Sequence, residues 1–255
     1  MTLNLIINGH TVSADAVIFD KDGTINNSLK VMPEIAKSRV NQIKKYLPQA
    51  VKYEDQMAQA IGLKGDKIDP DSPMMVGSRQ ETVNAAATVL YMATEIGWQQ
   101  ATDGIRKAFL DGDNDLSAEQ RVSLIKGARN TIQEIFRLGG QISIATNDVK
   151  ESTLAFLYHS GLDKYIHAVA CSDEVRSGKP EPDLALLAAD RMKIDIKQCI
   201  LVGDSISDME MGRRAGVKKS VGVLSGSADH KSLTGKANLI ISSIAEIKCF
   251  NSLEA

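Results

Sequence analysis

The chain has 255 residues, 43% of them hydrophobic and 24% charged. This is ordinary globular usage, and it excludes a disordered, collagen-like or disulfide-stapled chain. The formal charge of −2 leaves no basic footprint for nucleic acid and no polybasic stretch for a membrane surface.

In chain order, the first fifteen residues carry no Lys or Arg and no long apolar block, so a cleaved signal peptide is not expected. Residues 3–12, with Asn8-Gly9, suit a small hairpin edge. Ala16–Phe19 is a short apolar strand. For about a hundred residues the pattern is then helical. Glu34–Leu47, Glu54–Leu63, Arg79–Ile96 and Ala101–Leu110 are expected helices, and Lys64–Gly77 is a turn-rich loop. From Gly127 onward, strands and helices alternate. Gln141–Thr146 is a strand, Val149–Ser160 a helix closed by Gly161, and His167–Cys171 another strand. Pro180–Met192 is a helix that holds the longest apolar run, the six residues Leu184–Ala189, far short of the ~20 of a membrane span. Cys199–Val202 is a fully apolar strand, Asp208–Ala215 a helix stopped by Gly216, and Val221–Val223 and Leu239–Ile241 are further strands.

Apolar runs alternating with helices indicate a parallel sheet covered on both faces, an α/β fold of Rossmann-like type. A lone strand before residue 27 has no sheet of its own. The expected organisation is therefore an α/β core of residues 1–26 and 121–255, with a helical insert at 27–120, rather than two tandem domains. Three widely spaced cysteines, Cys171, Cys199 and Cys249, have no metal-knuckle spacing and suit reduced thiols in a cytoplasmic protein. His10, His159, His167 and His230 form no metal-like cluster.

Ligand sites in open α/β sheets lie beyond the carboxyl ends of the strands. Four such ends carry reactive groups. The first is Asp20-Lys21-Asp22-Gly23-Thr24, where two close carboxylates need a cation between them or a shared proton. A hard divalent cation with oxygen ligands meets the first case, whereas an ordinary acidic turn would have the same composition. The second is Thr146-Asn147, a hydroxyl and an amide able to donate to an anion, or else the cap of the following helix. The third is Lys179-Pro180, an ammonium beside an expected helix start. The fourth is Gly203-Asp204 with Asp208 one helical turn on, so both carboxylates can face one point. Asp208 alone would also suit a helix N-terminus, but that does not explain Asp204.

Together, in this order, the four ends resemble the haloacid dehalogenase superfamily of phosphohydrolases, over residues 16–26 and about 125–225. Gly178-Lys-Pro-Glu-Pro-Asp183 and Gly212–Gly216 resemble its phosphoglycolate-phosphatase-like branch, in which a helical cap follows the first motif. The resemblance implies a magnesium-dependent phosphatase acting on a small phosphorylated metabolite. Asp20 would be the nucleophile that forms an aspartyl-phosphate, and Asp22 the general acid and then base. Thr146, Asn147 and Lys179 would hold the phosphoryl group. Magnesium would be bound by Asp20, the carbonyl of Asp22 and Asp204, with Asp208 ligating or orienting. Asp22 argues against carbon–halogen and phosphonate chemistry, whose enzymes replace that acid. Asn27 stands where many relatives carry Asp.

Arg79 and Lys64 are candidates for a second anionic group of the substrate, or solvated surface cations. Trp98 and Met74-Met75 suit the core or an interface. A β-phosphoglucomutase-type activity is the alternative enzyme; Ser78-Arg79 fits it, but Met32 stands near where those mutases carry a His. A phospho-accepting signalling module and an idle binding protein are the non-enzymatic alternatives; the first would have neither the insert nor Asp-x-Asp. The particular substrate and the oligomeric state are not legible in the sequence.

Overall fold

The computed structural model describes residues 2–250, apart from the side chains at 118 and 119. The chain divides into two compact units, one formed by Met1–Asn27 with Leu124–Ala255 and the other by Ser28–Ser123.

In the first unit, β1 (Leu3–Ile7) and β2 (His10–Ala14) form a hairpin turning at Asn8 and Gly9, both with positive φ. β3 (Ala16–Phe19) follows, with all four residues buried. In the second unit, β4 (Leu63–Lys64) and β5 (Lys67–Ile68) make a two-stranded ribbon. The first unit resumes with β6 (Gln141–Thr146), β7 (Ala168–Cys171), β8 (Cys199–Gly203), β9 (Lys219–Val223) and β10 (Leu239–Ile241). Finally β11 (Lys248–Phe250) pairs antiparallel with β1.

The main sheet is parallel and six-stranded, in the order β10-β9-β8-β3-β6-β7. β3 and β8 are wholly apolar because their neighbours bury both faces. After β3 the chain builds β6 and β7 on one side, then returns to lay β8, β9 and β10 on the other. The order thus reverses between β3 and β8, the place where an open sheet leaves a crevice beyond its strand ends. Leu184, Ala185, Ala188 and Met192 of the Asp183–Met192 helix share a core with Ile18, Leu201 and Met209.

Several elements differ from expectation. The helix placed at Pro180 starts at Asp183, because Gly178–Glu181 form a turn closed by the Glu181 N–H on the Gly178 carbonyl at 3.0 Å. Lys179 therefore sits in that turn, not at a helix start. The helix placed at Asp208 starts at Ile206, with Ser205 as its cap. β11 has no counterpart among the expected strands.

The second unit is helical. Its helices are Ser28–Tyr46, Glu54–Ile61, Arg79–Ala93 and Trp98–Asp115, around a core that includes Ile43, Met57, Leu90 and Phe109. The first runs through Pro33, which forfeits one backbone bond in its second turn. The stretch Lys64–Gly77, expected as plain loop, includes β5 and a single-turn helix, Pro73–Val76. Met74 is buried and Met75 packs on the same core, while Trp98 is partly exposed and meets Tyr91 edge-on.

Candidate active site

The site is built from the carboxyl ends of the parallel strands. Phe19 lies opposite Val202, and the Asp20 N–H is donated to the Val202 carbonyl at 2.8 Å. That register carries Asp20 beyond β3 beside Asp204, which follows β8. Asp208 enters from the first turn of the Ile206–Ala215 helix. The three carboxylates each offer an oxygen within 4.8 Å of the others, and all three residues are buried.

Lys179 stands among them. Its side chain is 4% exposed, and its ammonium pairs with Asp20 Oδ1 and, at 2.7 Å, with Asp208 Oδ1. Burial opposes the charge on Lys179, but Asp20 and Asp208 outweigh it and its pKa is raised. Burial drives Asp20 well above the usual carboxylate range, with Asp208 and Asp204 adding to the rise and Lys179 opposing it. Burial and then Asp208 push Asp204 up to about 6, against the pull of Ser227. Three acids and one lysine leave an excess of negative charge, which a divalent cation would relieve.

The donor set fits a hard cation. It is all oxygen. Asp20 Oδ2 is buried with no hydrogen-bond donor among the described residues, as a cation ligand requires. Glycines leave room around Asp204. A Cβ on Gly23 would lie 2.5 Å from its carboxyl group, and one on Gly226 would lie 2.1 Å from Oδ2. Gly23 also has a φ of +87°, so glycine is demanded twice at that position.

Other groups fix the acids in place. Asp208 Oδ2 accepts from the Ser205 N–H at 3.0 Å and from its hydroxyl at 2.6 Å, and the Ser205 hydroxyl accepts from the Asp208 N–H. This reciprocal cap leaves Asp208 better suited to orient Lys179 than to offer a full face to a cation. Ser227 donates its N–H to Asp204 Oδ2 at 2.6 Å and its hydroxyl to the same oxygen at 2.9 Å. The Ser225 hydroxyl ties the Gly23 carbonyl at 2.7 Å. Neither serine stood out in the sequence. Their one signal was position, since Ser225-Gly-Ser227 follows another parallel strand, β9.

Thr146 is buried at the end of β6, and its hydroxyl accepts from the Asp148 N–H at 3.1 Å. Asn147 uses its carbonyl oxygen to hold the Lys179 N–H at 2.9 Å, so it anchors the lysine-bearing turn. Asp22 stands outside the carboxylate triad. Its Oδ2 is 2.5 Å from the ammonium of Lys21, and its Oδ1 accepts from the Asn26 amide at 3.1 Å. Lys21 is buried and also pairs with Asp148 at 3.2 Å, a partner to which no local pattern in the sequence points.

Arg79 belongs to the helical unit. Its guanidinium binds Asp113 Oδ2, while Arg39 binds Asp113 Oδ1 at 2.7 Å. The structure thus gives Arg79 an internal partner. Lys64 is exposed and pairs with Asp69 at 2.8 Å.

The haloacid dehalogenase-like hydrolase family matches residues 14–216, and the chain belongs to that family. Similar proteins include the bifunctional riboflavin kinase/FMN phosphatase of Arabidopsis thaliana, 33% identical over 101 residues, which are 38% of this chain and 26% of that one. The phosphoglycolate phosphatase of Escherichia coli K12 is 28% identical over 212 residues, 82% of this chain and 81% of that one. The chain spans between 26% and 54% of the length of the first curated relatives it matches. The crystal structure of a predicted phosphoglycolate phosphatase from Haemophilus somnus 129pt shares the fold with a TM-score of 0.71 at 19% identity, covering 91% of this chain and 96% of that one. A β-phosphoglucomutase from Clostridium difficile has the same fold. No helix among the described residues is long and apolar enough to cross a membrane.

Proposed function

We propose that the protein is a magnesium-dependent phosphatase of small phosphorylated metabolites, working through an aspartyl-phosphate on Asp20. The observation that carries this reading is the buried triad of Asp20, Asp204 and Asp208 with Lys179 inside it. Such an arrangement suits phosphoryl transfer, where catalysis is mostly positioning and charge neutralisation.

Asp20, Asp204 and the Asp22 carbonyl would hold magnesium, with Asp208 acting through Lys179. The cation supplies neutralisation of the charge on the transferring phosphoryl oxygens. Lys179 and the Thr146 hydroxyl bind the same oxygens. An Asp20 oxygen attacks phosphorus as the bond to the leaving oxygen breaks, and Asp22 gives that oxygen its proton. A water then attacks the phosphorus of phospho-Asp20, Asp22 takes the water's proton, and inorganic phosphate leaves with Asp20 restored.

The helical unit serves in this reading as the cap that selects the substrate. Met32 packs on that unit's core, and no His stands near it in sequence, which favours hydrolysis over mutase chemistry. Two buried thiols, Cys171 and Cys199, and the half-buried Cys249 are unpaired, as suits a cytoplasmic setting. The test is phosphate release across a panel of phosphorylated acids, sugars and nucleotides. Turnover should vanish on chelation and return with magnesium. Full activity after exhaustive chelation would overturn the metal role.

A further inference from the structure

Lys21 is 4% exposed, and its ammonium lies between two carboxylates from different strand ends, Asp22 after β3 at 2.5 Å and Asp148 after β6 at 3.2 Å. It also stands 5.5 Å from the centre of the Phe156 ring. Stability gives no reason for a lysine here. Burying a charged set is often no better than packing an apolar side chain of similar volume, and Phe156 would welcome one.

What the lysine does supply is orientation. It takes Oδ2 of Asp22, while the Asn26 amide takes Oδ1 at 3.1 Å. The loop carrying Asn26 is itself closed on Lys21, whose carbonyl accepts from the N–H groups of Ile25 at 3.0 Å and Asn26 at 2.9 Å. One residue thus fixes both sides of the Asp22 carboxylate, through its side chain and through its backbone. The two buried lysines divide the acids between them. Lys179 serves Asp20 and Asp208, and Lys21 serves Asp22 and Asp148.

We infer that Lys21 is a positioning residue, which holds the Asp22 carboxylate in place for proton transfer to the leaving oxygen, with Asp148 as its anchor. With Oδ2 held by the ammonium and Oδ1 by the Asn26 amide, the carboxylate has one fixed orientation. The inference rests on the acid–base reading of Asp22 given above.

General acid–base help is worth about 10²–10⁴-fold, and misplacing the group forfeits part of it. Lys21→Met should therefore lower the first-turnover rate of alcohol release from a primary alkyl phosphate about 10–100-fold. KM should change little, and the first-turnover rate of p-nitrophenol release from p-nitrophenyl phosphate, whose leaving group needs no proton, should fall less than about 3-fold. In an Asp22→Asn background, adding Lys21→Met should cost nothing further, because residues that act as one unit are not additive. Equal losses in the first-turnover rate on both esters, or a further loss in the Asp22→Asn background, would overturn the inference. Should Lys21→Met not fold, Asp148→Asn carries the test. It should show the same preference for loss on the alkyl ester at a smaller size, and an equal loss on both esters would count against the inference. The two levels separate cleanly. Impaired Asp22→Asn with an unimpaired Lys21→Met sinks the role of Lys21 alone, whereas Asp22→Asn within a few-fold of wild type on the alkyl ester sinks the acid–base reading and this inference with it.

Discussion

The Asp20 N–H is donated to the carbonyl of Val202 at 2.8 Å, two residues before Asp204. One backbone bond between neighbouring parallel strands therefore sets the spacing of two acids that are far apart in sequence. A one-residue slip of β3 against β8 would turn each side chain to the opposite face of the sheet, and the wholly apolar strands flanking the bond hold the register.

Asp204 gives the first prediction. Its carboxyl rises from 3.8 to about 6 on folding, through burial and then Asp208. A raised folded-state pKa contributes stability that is full below the unfolded value and is lost as pH rises through the folded one. At pH 7.5 without metal, the ionised group opposes folding. Asp204→Asn should then stabilise the chelated protein at pH 7.5, by roughly 1–3 kcal/mol, and give little gain at pH 4. In excess magnesium the order should reverse, since the variant lacks a proposed ligand. Thermal melts at both pH values, with and without chelator, check this. A chelated variant less stable than wild type at pH 7.5 would contradict it.

Gly226 gives the second. An added Cβ would sit 2.1 Å from Asp204 Oδ2, so the carboxylate must move. Gly226→Ala should raise the magnesium concentration for half-maximal activity about 10-fold or more, with little change in melting temperature. Gly97→Ala, where a Cβ meets nothing within 4 Å, is the control and should leave the metal requirement unchanged. A magnesium titration distinguishes them, and unchanged metal dependence in Gly226→Ala would refute the crowding argument.

Away from the site, Glu174 joins Lys150 at 2.6 Å to Arg191 at 2.9 Å, linking two helices beside β7. The Arg191 hydrogen bonds chiefly, then those of Lys150, hold its carboxyl down at about 2. A depressed folded-state pKa gives stability that is present above the unfolded value of 4.5 and lost as pH falls through about 2. Glu174→Gln should cost about 1 kcal/mol at pH 7, and the difference should shrink from pH 4.5 downward. Denaturant unfolding at pH 7 and pH 3 measures it. A pH-independent difference would assign the cost to packing.

The strands and the order of the four reactive ends were legible because fully buried parallel strands are written as apolar runs, and each run here stops at a polar residue. Helix starts were less legible. Ser205 caps a helix that begins at Ile206, two residues before the expected start, through its exchange with Asp208, and the turn at Gly178–Glu181 delays the preceding helix past Pro180. β11 was hidden because Lys248-Cys-Phe250 is too short to show alternation and forms only by pairing with β1, at the other end of the chain. Ser225 and Ser227 read as loop composition, and their role exists only once β9 lies beside β8. Arg79 was legible as a cation at a helix start, but its partner Asp113 lies a full helix away. Lys21 was visible within the motif, yet nothing local revealed that Asp148 waits opposite it.

The central claim is that Asp20 becomes phosphorylated during turnover. The most direct measurement is acid quench of the Asp22→Asn variant during reaction with a p-nitrophenyl ester, followed by borohydride reduction and peptide mass analysis. Without its base for the attacking water, this variant should accumulate the acyl phosphate. Borohydride should then convert the side chain at position 20 to an alcohol, and omission of substrate should abolish the product. Release of p-nitrophenol with the Asp20 carboxylate unmodified at every quench time, or reduction at a different acid, would contradict the account.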